Sequence, residues 1–288
     1  KNCVCLANAT DAMEIIFDFL KLPRNSKVLV PSHTMLATAS AAKTAGLNPV
    51  PVDVDNAFNF LEQFNRWDEV SMIIHQGALS STTNINIDAI YKYNIVFSIE
   101  LFKKAIKHKI PVKYASSASV YGTQKDKINP LNYYALSKTT VDYWVMDNID
   151  EFEHIQGFRY FNVYGSGEES KGLMASLVSQ FWWQARATGL VHPFEGSDEV
   201  LRDYVWVGDL VKIVLQNTAG SGIFDLGTGQ PTSVDTVARL ISLKTGSSLV
   251  PIPFPPHLKG KYQYYTIADM DWLKNYNFLT VKEYIDRL

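Results

Sequence analysis

The chain has 288 residues, of which 47% are hydrophobic and 19% are charged, and its formal net charge is −2. This composition is typical of a globular protein with a sizeable core, and the charge gives no basis for non-specific nucleic-acid binding. No apolar run approaches the ~20 residues that a membrane-spanning helix needs, so we expect neither a nucleic-acid nor a membrane partner.

The cysteines predict neither a disulfide nor a metal site. Cys3 and Cys5 are the only two, and two such ligands do not make a zinc site. Two thiols and the absence of a recognisable signal peptide favour the cytoplasm.

Strand-like apolar runs alternate with amphipathic segments along the first half of the chain. This alternation predicts an α/β fold with a doubly wound parallel sheet of the Rossmann-like type. The predicted strands cover 3–7, 27–31, 49–54, 71–75, 112–116 and 155–160, and the predicted helices cover 10–21, 34–46, 88–108 and 134–150.

The pattern loosens after about residue 165. The proline-rich run PIPFPP at 251–256 and the loop GSDEVLRD at 196–203 are typical of a smaller lobe. We therefore predict a Rossmann-like domain over 1–167 and a substrate-binding lobe over 168–288.

The first strand lacks the turn that a dinucleotide-binding fold normally has. Such a strand ends in a glycine-rich loop, which lets the backbone approach the pyrophosphate at the start of the next helix. Here strand 3–7 runs into Asn8-Ala9-Thr10-Asp11, and the first glycine of the chain is Gly46.

Residues 2–55 carry a resemblance of their own. The stretches NATDAMEIIFDFL and KVLVPSHTMLATASAAKTAGLNPVPVDVD resemble the early large domain of PLP-dependent sugar aminotransferases. That family's Schiff-base lysine lies further along, in sequence that this chain lacks, so we expect no PLP. We interpret 1–55 as a scaffold that supplies the first three strands of the same sheet, with Asn8, Thr10 and Asp11 capping the first helix.

Two motifs further along carry the chemistry. The run KYASSASVYG (113–122) places serines at the end of a strand, and NYYALSK (132–138) supplies Tyr134 and Lys138. A spacing of four puts both side chains on one helix face, where a fixed ammonium favours the phenolate of a tyrosine. Tyr133 is a rival for the same role, but its spacing to Lys138 is five.

From Asn56 to the C-terminus the chain resembles extended short-chain dehydrogenases, and among them nucleotide-sugar epimerases of the ADP-heptose 6-epimerase type. The resemblance implies that Ser117 orients the substrate hydroxyl, Tyr134 acts as acid and base, and Lys138 holds the nicotinamide ribose. It also places Gly77, Ala78 and Asn94 beside the cofactor or in support of the site, and it favours NADP over NAD.

The C-terminal half narrows the substrate class. The runs GFRYFNVYG (157–165), KGLMAS (171–176) and PFPPHLKGKYQ (253–263) are similar to those of the same epimerases. The resemblance implies that a nucleotide sugar is bound by Ser80, Asn162, Arg202 and Tyr262. Two alternatives stay open: a surface ion pair of Arg202 with Asp203 or Glu199, and ordinary loop packing of Tyr262.

Lys171 is a candidate for a second proton-transfer group. Epimerisation at carbon 6 requires oxidation, a half-turn of the keto intermediate, and reduction on the other face. Either Tyr134 serves both faces or another group lies opposite it, and the resemblance assigns Lys171 to that place. Otherwise Lys171 contacts phosphate or is a solvated lysine.

The sequence thus predicts an NAD(P)-dependent nucleotide-sugar epimerase that forms a homo-oligomer. The alternative is a nucleotide-sugar-binding protein whose cofactor site is impaired, because the loss of two or three charge-assisted hydrogen bonds would weaken dinucleotide binding by ~3–9 kcal/mol.

Overall fold

The computed structural model describes residues 57–124, 127–256 and 262–288, together with the backbone of the strands 27–31 and 48–52. A four-stranded parallel sheet forms its centre, in the order β10-β5-β4-β3. Its strands are β3 (Ile73–His75), β4 (Val112–Ser117), β5 (Ile155–Tyr160) and β10 (Gly222–Leu226).

The first two strands, β1 and β2, pair with each other. Strand β1 (Lys27–Pro31) runs parallel to β2 (Asn48–Val52), close to the predicted bounds of both. The predicted strand 3–7 and the predicted helices 10–21 and 34–46 lie outside the described residues. The junction of β1 and β2 with the central sheet therefore stays a prediction.

Helices precede and connect the central strands; those near 88–108 and 134–150 were predicted, and the first was not. They are α1 (Ala57–Gln63), α2 (Ile87–Ile90), α3 (Phe97–His108) and α4 (Tyr133–Asp147). The predicted helix 88–108 is helical throughout, but a π-helical turn at Tyr91–Val96 separates α2 from α3. Strand β4 is buried over its first five residues, as expected of a parallel strand with both faces covered.

The rest of the chain builds a second core and also supplies the last strand of the central sheet. Helices α5 (Leu177–Thr188), α7 (Val234–Thr245) and α8 (Val281–Arg287) pack around buried Phe181, Ile241 and Ile285. Helix α6 (Val207–Gln216) precedes β10. The short strands are β6 (Asn162–Tyr164), β7 (Leu190–Val191), β8 (Leu201–Arg202), β9 (Tyr204–Trp206), β11 (Thr232–Ser233) and β12 (Ser248–Leu249).

Within the ranges described above, no helix combines the length and the apolar character that crossing a membrane requires.

Candidate active site

The end of β4 and the start of α4 bring Ser117, Tyr134 and Lys138 together. Ser117 is the last residue of β4, and the Asn132 side chain caps α4 by accepting the Ala135 N–H at 2.8 Å. This cap fixes where the helix begins, and so places Tyr134 in its first turn. The Ser117 side chain lies near enough to the Tyr134 hydroxyl to lower the pKa of the phenol.

The three serines of the 113–122 motif have different partners. Ser116 donates to the carboxylate of Asp142 at 2.9 Å, on the helix side of the strand. Ser119 donates to the Ser117 hydroxyl at 2.9 Å. Only Ser117 reaches Tyr134 among them, which is the arrangement that the resemblance implies.

The pKa of Tyr134 responds to two opposing effects. Burial raises it, and the hydrogen bond from Ser117 lowers it. From their spacing we expected the Lys138 ammonium to lower the pKa of Tyr134. Lys138 Nζ, however, lies 6.0 Å from the centre of the Tyr134 ring. The immediate partner of the phenol is therefore Ser117.

Lys138 is buried beneath the site. Its Nζ donates to the backbone oxygen of Ala115 at 2.7 Å, and only 5% of the residue is exposed. Burial lowers the pKa of Lys138 to about 8, against the charge of Asp142, which raises it. A lysine in this state changes charge within the pH range in which enzymes are assayed.

Tyr133 lies apart from this arrangement. It is 43% exposed, whereas Tyr134 is partly buried against Ser117. The geometry thus favours Tyr134 as the proton-transfer group over its neighbour.

Asn94 holds the turn that follows β3, where Gly77 and Ala78 lie. Its Oδ1 accepts the Leu79 N–H at 2.8 Å, and its Nδ2 donates to the Leu79 oxygen at 3.1 Å and to the Ser137 hydroxyl at 3.0 Å. The side chain is fully buried, so it supports this turn from behind instead of facing a cofactor. Ser80 is exposed in the same turn.

Sequence reasoning missed the polar groups that hold these elements in place. His75 Nε2 lies 2.8 Å from the Ser98 hydroxyl. That hydroxyl donates to the backbone oxygen of Asn94 at 2.7 Å. Burial lowers the pKa of His75 to about 3, and the Lys138 charge acts in the same direction, so the imidazole is neutral. The only signal in the sequence was a histidine inside an apolar strand.

A second missed group centres on Asp142. This carboxylate accepts from the Tyr114 hydroxyl and from Arg159 Nε, both at 2.9 Å, in addition to Ser116. Arg159 also donates to the Tyr121 hydroxyl at 2.8 Å, and that hydroxyl donates to Asp225 at 2.6 Å. The network ties α4 to β4, β5 and β10.

Arg202 and Tyr262 contact each other in the second part of the chain. The guanidinium carbon lies 4.5 Å from the centre of the Tyr262 ring, and Arg202 is buried. No carboxylate in the described part of the chain lies within ion-pairing distance of Arg202. Asp203 instead accepts hydrogen bonds from Thr228, Gly229 and Ala268.

The residue after Tyr262 connects this pair to the β4 motif. Gln263 Nε2 donates to the Gly122 oxygen at 2.7 Å and to the Ala118 oxygen at 3.3 Å. Asn162 is half-buried, and its Oδ1 accepts from the Thr266 hydroxyl at 3.4 Å. Gln263 thus joins the segment of Tyr262 to the loop that follows Ser117.

Lys171 lies in a 3₁₀ helix, Glu169–Met174, and its side chain is 53% exposed. Its Nζ donates to Glu168 Oε1 at 3.2 Å. Lys171 is therefore neither solvated alone nor buried, but held by a neighbouring carboxylate.

Comparison with known proteins shows the family of the chain. The sequence model of the NAD dependent epimerase/dehydratase family matches residues 23–222, and the chain belongs to that family. The match extends back to residue 23 and so covers part of the segment 2–55, for which we had expected a separate resemblance.

More particularly, the chain is similar to the ADP-L-glycero-D-manno-heptose-6-epimerase of Alkalilimnicola ehrlichii. The two are 37% identical over 238 residues, which span 77% of this chain and 74% of that protein.

Solved structures confirm the predicted fold class. The ADP-L-glycero-D-manno-heptose-6-epimerase of Helicobacter pylori superposes with a TM-score of 0.75 at 24% identity, over 92% of this chain and 95% of that one. The UDP-glucose 4-epimerase of Thermotoga maritima, solved with UDP-glucose, gives 0.77 at 21% identity, over 97% and 95% of the two chains.

Proposed function

We propose that this protein interconverts the two C6 epimers of an ADP-heptose with a bound NAD(P). The observation that carries the proposal is the placement of Ser117 beside Tyr134, with Lys138 buried one helical turn further on, in a chain that is 37% identical over 238 residues to an ADP-heptose epimerase. This is the arrangement needed for acid–base chemistry on a secondary hydroxyl.

The residues around the β3 turn fit a nicotinamide cofactor. The Lys138 ammonium has three N–H donors and uses one on Ala115, so it can also hold ribose hydroxyls. Gly77 and Ala78 would line the cofactor in the turn that Asn94 fixes. The bound nicotinamide supplies a reversible hydride acceptor, and we favour NADP over NAD from the family resemblance.

Tyr134 takes the proton from the C6 hydroxyl while Ser117 holds that hydroxyl in line. After the keto sugar has made a half-turn, Lys171 donates a proton to its oxygen from the other side. Arg202 and Tyr262 hold the diphosphate during the turn, because a guanidinium fork matches phosphate oxygens. Asn162 and Ser80 contribute polar contacts to the sugar diphosphate.

The test is to incubate the protein with one ADP-heptose epimer and no added NAD(P)H. We expect NMR to show both C6 epimers, with a deuterium label at C6 retained in the product, because the hydride returns to the carbon that it left. An unchanged epimer, from protein that carries a dinucleotide, would contradict the proposal.

A second candidate rests on one observation. No glycine stands between the predicted strand 3–7 and Gly46, so this stretch does not carry the glycine-rich pyrophosphate loop that the fold class leads us to expect there. A protein impaired in this way would bind the ADP-sugar without turnover. Mass spectrometry of the released ligand separates the two candidates: a co-purified dinucleotide supports the epimerase, and a dinucleotide-free protein that still binds ADP-heptose supports the binding protein.

We also propose a homo-oligomer in which α4 faces a second copy. Leu136 and Tyr143 are 48% and 57% exposed, and their spacing of seven puts them on one helix face. Ile87, in α2, and Tyr91, in the π-helical turn, are also exposed. Light scattering after size exclusion should give a multiple of 32.4 kDa, and Tyr143→Glu should shift it towards the monomer.

A further inference from the structure

The buried carboxylate of Glu168 is held by four hydrogen bonds. Oε1 accepts from Lys171 Nζ at 3.2 Å and from the Ser176 N–H at 3.1 Å. Oε2 accepts from the hydroxyls of Ser176 at 2.5 Å and Ser179 at 2.7 Å. Each oxygen thus accepts two hydrogen bonds, which together fix the orientation of the carboxylate.

The surroundings of Glu168 favour a negative charge. Ser176 caps helix α5 and Ser179 lies in its first turn, so the carboxylate faces a helix N-terminus. Free N–H groups and the helix dipole stabilise an anion there. Only 6% of Glu168 is exposed, so water competes little for its oxygens.

Lys171 is the most exposed of the described partners of this carboxylate. A half-exposed lysine on a surface loop samples many rotamers, which weakens any role that needs its Nζ at one place. The contact with a rigid carboxylate restricts the Nζ position. It uses one of the three N–H donors and leaves others for a substrate oxygen.

We propose that Glu168 is a positioning residue for Lys171, which rests on the proposed function of Lys171 as the second proton-transfer group. Glu168 holds the Nζ of Lys171 in place, so that Lys171 gives the proton when Tyr134 is the base, and the two exchange roles in the reverse direction. In each forward turnover Tyr134 gains the proton of the C6 hydroxyl and Lys171 gives one to the keto oxygen. Before the next turnover Tyr134 releases its proton to solvent, and Lys171, whose side chain is 53% exposed, takes one up from solvent.

The test compares Glu168→Gln with Glu169→Gln. Glutamine keeps the shape of the side chain and an acceptor for Lys171 but removes the charge. We expect Glu168→Gln to lower kcat roughly 10-fold, less than the ~10²–10⁴-fold expected for loss of a proton-transfer group, with KM changed less than about two-fold. Glu169→Gln is the matched control, because Glu169 is the exposed neighbouring carboxylate. It should keep the parent kcat.

A double-mutant cycle shows whether Glu168 acts through Lys171. In a Lys171→Met background, Glu168→Gln should cause no further loss of kcat. The inference is overturned if Glu168→Gln keeps the parent kcat, or if its loss recurs undiminished in that background. A parent-like kcat for Lys171→Met would instead overturn the proposed role of Lys171. Melting temperatures check that the variants fold, and Ser179→Ala, which removes one donor to Glu168, should cause a smaller loss of kcat.

Discussion

The guanidinium of Arg202 stacks on the ring of Tyr262, with 4.5 Å between its central carbon and the ring centre. Sequence comparison assigned both residues to substrate binding separately, and the structure places them in contact. The ring limits how the buried guanidinium can turn, so its donors are aimed before any ligand arrives. Such preorganisation reduces the entropy lost on binding.

Arg202→Lys should weaken nucleotide-sugar binding about 10-fold, because it keeps the charge but loses ~1–2 kcal/mol of fork geometry and ring stacking. Calorimetric titration with ADP-heptose measures this directly, and kcat at saturation should be retained. Tyr262→Phe is the control: it keeps the ring, so a loss as large as that of Arg202→Lys would show that the hydroxyl, not the stacking, is what matters.

The strands and the catalytic motif were predictable from sequence for local reasons. The apolar runs 27–31 and 155–160 form strands with the predicted bounds. The contact between Ser117 and Tyr134 follows from a strand end that meets a helix start. Helix periodicity places Lys138 one turn after Tyr134. Each of these inferences needs only residues near each other in the chain.

The groups that set the charges of the site depend on contacts between distant residues. Arg159 pairs with Asp142 across two elements, and Asp225 reaches Tyr121 from a strand about a hundred residues later. No periodicity encodes such pairs. The hydrogen bond from Lys138 Nζ to the Ala115 carbonyl also joins residues on two different elements, so the spacing of Tyr134 and Lys138 could not predict it.

The buried Lys138 predicts an alkaline limit to activity. Its pKa is lowered to about 8, so raising the pH through 8 removes the ammonium that holds the ribose and supports the tyrosine. A plot of kcat/KM against pH should fall above about pH 8. A profile that stays flat to pH 10 would contradict the assignment.

Asp142→Asn should move that limit to lower pH. The Asp142 charge raises the pKa of Lys138, so its removal lets the ammonium lose its proton sooner. Asparagine keeps the size of the side chain and one acceptor oxygen, so at most one of the bonds from Tyr114 and Ser116 persists unchanged, and circular dichroism checks that the variant folds. Asp147→Asn, an exposed change on the same helix, should leave the limit in place.

Lys113 predicts a stability effect that is independent of catalysis. This buried ammonium donates to the oxygens of Val214 at 2.5 Å and Asn217 at 3.1 Å, and so caps the end of α6. Lys113→Met leaves buried carbonyls without donors, which should lower the free energy of unfolding by ~1–3 kcal/mol. Urea denaturation measures this loss, and the exposed Lys107→Met should cause almost none. Equal stabilities would show that the cap contributes little.

The most direct test of the central claim compares Tyr134→Phe with Tyr133→Phe in C6 epimer interconversion. Substrate deuterated at C6 should first give an isotope effect, which shows that chemistry limits the rate. Tyr134→Phe should then lower kcat by ~10²–10⁴-fold while sugar-nucleotide affinity stays nearly unchanged, because the phenol acts only on the reacting hydroxyl. Tyr133→Phe should match the parent. A parent-like kcat for Tyr134→Phe under these conditions would contradict the account and withdraw the roles of Ser117, Tyr134 and Lys138 together.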